Sequence, residues 1–187
     1  VNHVVETSPG EFSLYVGGVF ASRTPANVRT ILGSCIAVCL YDPVARVGGM
    51  NHFLLPAAKD DDGFEVARFG VHAMDSLIGE LMMRHKADRR RLVAKVFGGG
   101  HVLDTAHSTD SVPERNIRFI RDFLRDEEIP VVAEDLGGTW PRLVIFHCTE
   151  GRARVKRMTG TRVVDALRVR DTSAAKETPQ YGSVDLF

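Results

Sequence analysis

The chain has 187 residues, with 24 Lys plus Arg against 24 Asp plus Glu, no formal net charge, 44% hydrophobic and 26% charged residues. That is the composition of one globular domain with a core of its own, and the zero balance argues against a nucleic-acid binder that relies on bulk positive charge. Three cysteines are too few and too unevenly spaced for a disulfide scaffold, and no apolar run approaches the roughly 18 residues of a membrane span. The expectation is a cytoplasmic protein with reduced thiols, no signal peptide and no membrane insertion.

Residues 1–10 read as a short, mobile, polar N-terminus. Residues 13–20 read as a strand interrupted by Gly17-Gly18, and 28–32 as a strand leading into Gly33-Ser34-Cys35. Two further β-like runs, 33–41 and 46–55, flank Asp42-Pro43-Val44-Ala45, and Pro56 ends the second. Asp60-Asp61-Asp62-Gly63 is an acidic turn without the spaced carboxylates and closing Glu of an EF-hand loop. The clearest helix runs from 65 to about 86: Val66, Phe69, Ala73, Leu77 and Leu81 recur at three- and four-residue steps, with Met74, Ile78 and Met82 widening the stripe. Met82-Met83 reads as filler, not as a metal or cofactor box. Arg89-Arg90-Arg91 beside Asp88 reads as a helix-end cap or a solvated turn.

Residues 91–97 read as a strand ended by Gly98-Gly99-Gly100. The Lys-Ser/Thr of a P-loop is missing, so the glycines mark close backbone packing or a binding-site wall. His101 and His107 have no partners at zinc-ligand spacing and read as surface or hydrogen-bonded residues; neither a metal nor a cofactor is expected. Pro113 suits a helix start, and Ile117, Ile120, Phe123 and Leu124 form that helix's stripe. Residues 131–133 and 143–146 read as strands separated by Gly137-Gly138, 152–157 alternates as a last strand, and 158–187 reads as an arm and tail. The boundaries that follow are 1–10, a single domain over 11–157, and 158–187.

The chemistry concentrates in the hairpin. Pro43 suits the first central position of a type I turn and Asp42 the position before it. A four-residue loop over 42–45 would pair Tyr41 with Arg46 and place Cys35 opposite His52 on one face. An imidazole so placed favours a thiolate. A free cysteine is more often a small buried hydrophobe, and Cys39 and Cys148, each within an apolar run, fit that description. Cys35 differs because it follows Gly-Ser at a strand start and has a register-matched histidine. Alternation points Asn51 to the other face from His52.

The run LGSCIAVCLYDPVARVGGMNHFLLP, residues 32–56, resembles the signature of the chemoreceptor glutamine deamidases, the CheD family. Further matches follow in order: Lys95-Val96-Phe97-Gly98-Gly99-Gly100; Glu114-Arg115-Asn116 with Phe119, Phe123 and Leu124; the run from Ile129 to Gly138; Pro141-Arg142; and the chain end Gly182-Ser183-Val184-Asp185-Leu186-Phe187. The resemblance covers roughly residues 11–157 and the tail. It implies an α/β fold, a single-domain three-layer sandwich with a mixed β-sheet and flanking helices. It implies that Cys35 attacks a glutamine carboxamide of a methyl-accepting chemoreceptor's cytoplasmic domain, with His52 as acid and base, and it points to Thr30 as a third catalytic residue. Amides near Gly33 and Ser34 are candidates to hold the oxyanion. A CheC-type phosphatase is the regulatory partner that the resemblance suggests. The runner-up is a non-catalytic chemotaxis adaptor in which Cys35 is inert. A different Cys-His hydrolase is weakened by the lack of a distant His with Asn or Asp in papain-like context.

Overall fold

Strand β5 (Ile36–Asp42) is buried along almost its whole length, as is β6 (Val47–Phe53). Their side chains alternate between two different cores. Ile36, Val38 and Leu40 pack with helix residues, while Cys35, Ala37, Cys39 and Met50 pack with Val28, Leu32, Val144 and Phe146. A strand covered on both faces carries a continuous apolar run instead of an alternating one, which is how this segment reads.

The computed structural model describes residues 3–55, 63–102 and 111–158. Besides β5 and β6, its strands are β1 (Val4–Ser8), β2 (Glu11–Leu14), β3 (Val19–Ser22), β4 (Asn27–Leu32), β7 (Val93–Gly98), β8 (Val131–Leu136), β9 (Arg142–His147) and β10 (Arg152–Arg157), with helices α1 (Gly63–Gly79) and α2 (Val112–Asp126). One sheet has the order β1-β2-β4-β9-β10 and the other β3-β6-β5-β7-β8. Each is mixed: β2 runs parallel to β4 and β7 parallel to β8, and the remaining pairs are antiparallel. The second sheet is the middle layer, with the first sheet on one face and the helices on the other. The three-layer α/β sandwich expected from the sequence is therefore present, with two sheets in place of one.

The helix layer follows the predicted stripe. Met74, Leu77, Ile78 and Leu81 are buried against the middle sheet, each worth about 1.5–3 kcal/mol over an exposed position. A π turn, Glu80–Arg84, follows α1 directly. Met82 and Met83, expected as filler, are exposed there. Ile117, Ile120 and Leu124 are buried along α2 as expected.

Four further expectations are corrected. Residues 4–8, expected within a mobile lead, pair with β2 as an edge strand. Residues 13–20 are two strands in different sheets: the chain leaves β2 at Leu14 and enters the middle sheet at Val19. Gly17 (φ 85°) makes that crossing; its N–H donates to His52 O at 2.7 Å, and His52 N–H donates to Gly18 O at 3.1 Å. The hairpin loop is Pro43–Arg46, with Asp42 paired to Val47 and Tyr41 to Gly48. The Asp42 carboxylate explains the shift. It accepts from the N–H groups of Val44 and Ala45 at 3.0 Å each, from Asp88 N–H at 2.8 Å and from the Arg91 guanidinium at 2.8 and 3.0 Å. Asp42 thus caps the loop from the last strand position, and Arg46 (φ 53°) closes it in the left-handed region. Arg91 is an ion-pair partner and not simply part of a solvated turn.

Gly48 and Gly49 let the layers close. A Cβ at Gly48 would lie 2.8 Å from Cys148 O and 2.9 Å from the Phe146 ring; one at Gly49 would lie 2.5 Å from Phe20 O. The acidic residues 60–62, His107 and the tail from 159 onward lie outside the described residues.

Candidate active site

The observed register puts Ala37, not Cys35, directly opposite His52. The pairing moves by two in register, so the parity that sets the face is unchanged. Cys35, just ahead of β5, is a diagonal neighbour of His52 on the face turned toward the first sheet. Diagonal positions are about 7–8 Å apart at Cα and remain within reach of long or aromatic side chains. Asn51, on the opposite face, donates to Ala73 O of α1 at 3.0 Å and accepts from Val38 N–H, in line with the alternation argument.

Thr30 comes to the site from the first sheet. Its Oγ1 lies 2.7 Å from His52 Nδ1 and 2.7 Å from Leu14 O, both contacts buried. A carbonyl only accepts, so the single hydroxyl proton goes to Leu14 O and the hydroxyl oxygen accepts from Nδ1–H. In the neutral imidazole this leaves the lone pair on Nε2. One hydrogen bond thus crosses the sandwich, fixes the ring and selects its tautomer. Cys35, His52, Thr30 and Ser34 are all buried, so the low-dielectric interior strengthens each of these polar contacts.

The Gly33-Ser34-Cys35 turn is held by three separate donors. Gly100 N–H donates to Gly33 O at 2.8 Å, Asn116 Nδ2 to Ser34 O at 3.0 Å, and Gly99 N–H to Cys35 O at 2.8 Å. Every peptide here is trans, so each following N–H points away from the carbonyl of its own plane. The Cys35 amide is thereby directed away from α2. Gly98 (φ 116°) and Gly99 (φ 62°) are required in this strap: a Cβ at Gly98 would fall 2.0 Å from Cys35 O.

Two residues without a predicted role shape the site. Asn116 accepts from Leu55 N–H at 2.9 Å while donating to Ser34 O, and so ties the end of β6 to the Cys35 turn. Arg142, nearly fully buried, donates from Nη1 to Gly98 O at 2.6 Å and from Nη2 to Gly137 O, with Asp135 at 3.3 Å. Burial pulls its guanidinium pKa down, and Asp135 opposes that. Both residues stood in the family-like motifs, which is the signal that could have found them. His101, expected to be surface or hydrogen-bonded, is buried with Nε2 2.9 Å from Glu114 Oε1.

The other two thiols are poor nucleophiles. Burial pushes Cys148 up to about 12, and burial followed by the neighbouring Cys148 pushes Cys39 well above the ordinary thiol value. Among the described residues no group of His, Cys, Asp and Glu is placed to hold a metal ion, and no helix is long and apolar enough to cross a membrane.

Residues 54–157 match the family model described as CheD chemotactic sensory transduction. A protein of Xanthomonas campestris pv. campestris (strain B100) named "Probable chemoreceptor glutamine deamidase CheD" is 44% identical over 162 residues, covering 86% of this chain and 80% of that protein. A Stenotrophomonas maltophilia (strain K279a) protein of the same name is 42% identical over the same shares. A Shewanella oneidensis protein named "Probable chemoreceptor glutamine deamidase CheD 1" is 40% identical over 98% of this chain and 87% of its own length. Thr30, Cys35 and His52 precede the segment matched by the family model. On these matches, the chain belongs to the CheD chemotactic sensory transduction family.

Proposed function

We propose that this chain is a protein-glutamine deamidase that converts glutamines of methyl-accepting chemoreceptors to glutamate, with Cys35 as nucleophile, His52 as acid and base, and Thr30 orienting His52. The observation that carries the chemistry is the Thr30–His52 contact of 2.7 Å between opposite sheets, beside a cysteine on the same face of the hairpin. The substrate comes from the names of the relatives.

His52 Nε2 takes the Cys35 proton, and the thiolate adds to the glutamine carboxamide carbon. The carbonyl oxygen becomes an oxyanion, held by amides of the Gly33-Ser34-Cys35 turn. The C–N bond then breaks, and His52 returns its proton to the departing nitrogen so that ammonia leaves and a thioester remains. Water attacks the thioester as His52 accepts its proton; the C–S bond then breaks, the proton on His52 passes to the departing sulfur, and the products are glutamate and the Cys35 thiol. Because Cys35 is fully buried in this conformation, the segments covering it must shift for a glutamine side chain to enter.

An adaptor role would account for exposed surface, but it gives no reason for a tautomer-fixed histidine beside a buried thiol. The proposed partners are receptor cytoplasmic domains as substrate and a CheC-type phosphatase as regulator, and the proposed location is the cytoplasm. The test is ammonia release on incubation with a purified receptor cytoplasmic fragment. Release by the wild type and none by Cys35→Ser supports the reading; equal release by both overturns it.

A further inference from the structure

We propose that Arg142 is a positioning residue for this reaction: its side chain ties the glycine strap 98–100 to the sheet that carries Thr30, and so holds the Cys35 turn in place relative to His52. This inference rests on the deamidase reading. Arg142 is on β9, where its backbone is in register with Leu32, the residue before Gly33. Its side chain reaches Gly98 O at the end of β7, in the other sheet, and Gly137 O at the end of β8. Gly98 O also accepts from Gly137 N–H at 2.9 Å. One and two residues along the strap, Gly99 and Gly100 donate to Cys35 O and Gly33 O. Every link from the guanidinium to the nucleophile's own peptide is therefore a hydrogen bond or one or two covalent residues. Arg142 meets β4, which leads into the Cys35 turn, by its backbone, and the ends of β7 and β8 by its side chain.

The choice of residue supports a positioning role over simple packing. Burying a guanidinium carries a desolvation cost that an apolar side chain of similar volume avoids, so a buried ion pair is weak evidence for stability. A planar fork of donors does what an apolar residue cannot: it fixes two carbonyls in direction as well as distance. A misplacement of about 1 Å at reacting groups is enough to cost about 100-fold in rate.

The test compares wild type with Arg142→Lys, Arg142→Gln and Arg142→Met, each first checked for a cooperative thermal transition. In the variants that fold, kcat for receptor deamidation falls by about 100-fold while KM changes little, the pattern of an interaction felt at the reacting groups and not in substrate binding. In the same variants Cys35 alkylation by iodoacetamide near neutral pH slows across its profile relative to wild type, as the thiol loses its placement beside His52. Unchanged kcat and an unchanged alkylation profile overturn the proposal. So does a rise in KM at constant kcat, or failure of all three variants to fold, which would make Arg142 purely structural. A wild type that alkylates rapidly at Cys35 yet deamidates nothing would instead overturn the deamidase reading, and the alkylation profiles would still judge Arg142.

Discussion

Thr30 Oγ1 and His52 Nδ1 meet at 2.7 Å from strands of opposite sheets, and the Thr30 proton is committed to Leu14 O. The hydroxyl is therefore an acceptor for the imidazole. Thr30→Val keeps the shape and removes the acceptor, so kcat is expected to fall by roughly 100-fold, on the scale of acid–base catalysis. Thr30→Ser, which restores the acceptor, should recover most of it. Steady-state deamidation kinetics of the two variants check this; equal activity in both would remove Thr30 from the site.

The three thiols should separate cleanly. Cys35→Ser and His52→Ala are expected to lose deamidation while still unfolding in one cooperative thermal transition, because a hydroxyl is far less ionised than a thiol and the remaining thiol lacks its base. Cys39 and Cys148, held protonated by burial, should not alkylate in the native state. Their Ser variants should stay active at a cost of about 1–3 kcal/mol for a buried hydroxyl. Peptide mapping after a short iodoacetamide pulse, with chemical denaturation of each variant, tests the separation. A first adduct at Cys39 or Cys148 would refute it.

Two glycines should respond with opposite signs. Gly48→Val forces a side chain against Cys148 O and the Phe146 ring, and is expected to cost about 3 kcal/mol, the upper end of ordinary overpacking. Gly79 has helical backbone angles (φ −59°, ψ −45°) and nothing within 4 Å of an added Cβ. Gly79→Ala should therefore stabilise by about 0.4–1 kcal/mol. Urea unfolding midpoints of the two variants give both signs in one experiment.

How far the sequence reveals this site is clearest at the hairpin. Pro43 and the flanking apolar runs announce a turn, but nothing local says that the Asp42 side chain caps Val44 and Ala45 while gripping Arg91, a residue 49 positions away. That long-range grip moves the loop by one residue on each strand. The predicted face for Cys35 and His52 survives because the register changes by an even number. The helix stripes at Met74, Leu77 and Leu81 and at Ile117, Ile120 and Leu124 were legible because their periodicity is local. The division of 13–20 between two sheets was not, because β2 pairs with β4 and β4 with β9, contacts that no local pattern encodes. Arg142 shares its inward face with Val144 and Phe146, yet a single arginine beside an apolar run looks like a strand end.

Asp42 supplies a pH signature. Burial pushes its carboxyl up, but bonds from Arg91 and from the Asp88, Ala45 and Val44 amides outweigh that and hold it well below the usual carboxylate range. A folded-state pKa depressed in this way contributes stability that is fully present above the unfolded value of about 4 and is lost as pH falls below it. Asp42→Asn should therefore be less stable than wild type at pH 7, with the gap narrowing below about pH 4. Urea unfolding at both pH values checks it; a gap independent of pH would contradict the assignment.

The most direct test of the account is the intact mass of a purified chemoreceptor cytoplasmic fragment after incubation with this protein, followed by peptide mapping. The account predicts a gain of about one dalton per modified glutamine, the amide NH2 replaced by OH, with wild type and no gain with Cys35→Ser. A fragment left unchanged by wild-type protein whose Cys35 alkylates readily, or one modified equally by Cys35→Ser, would contradict it.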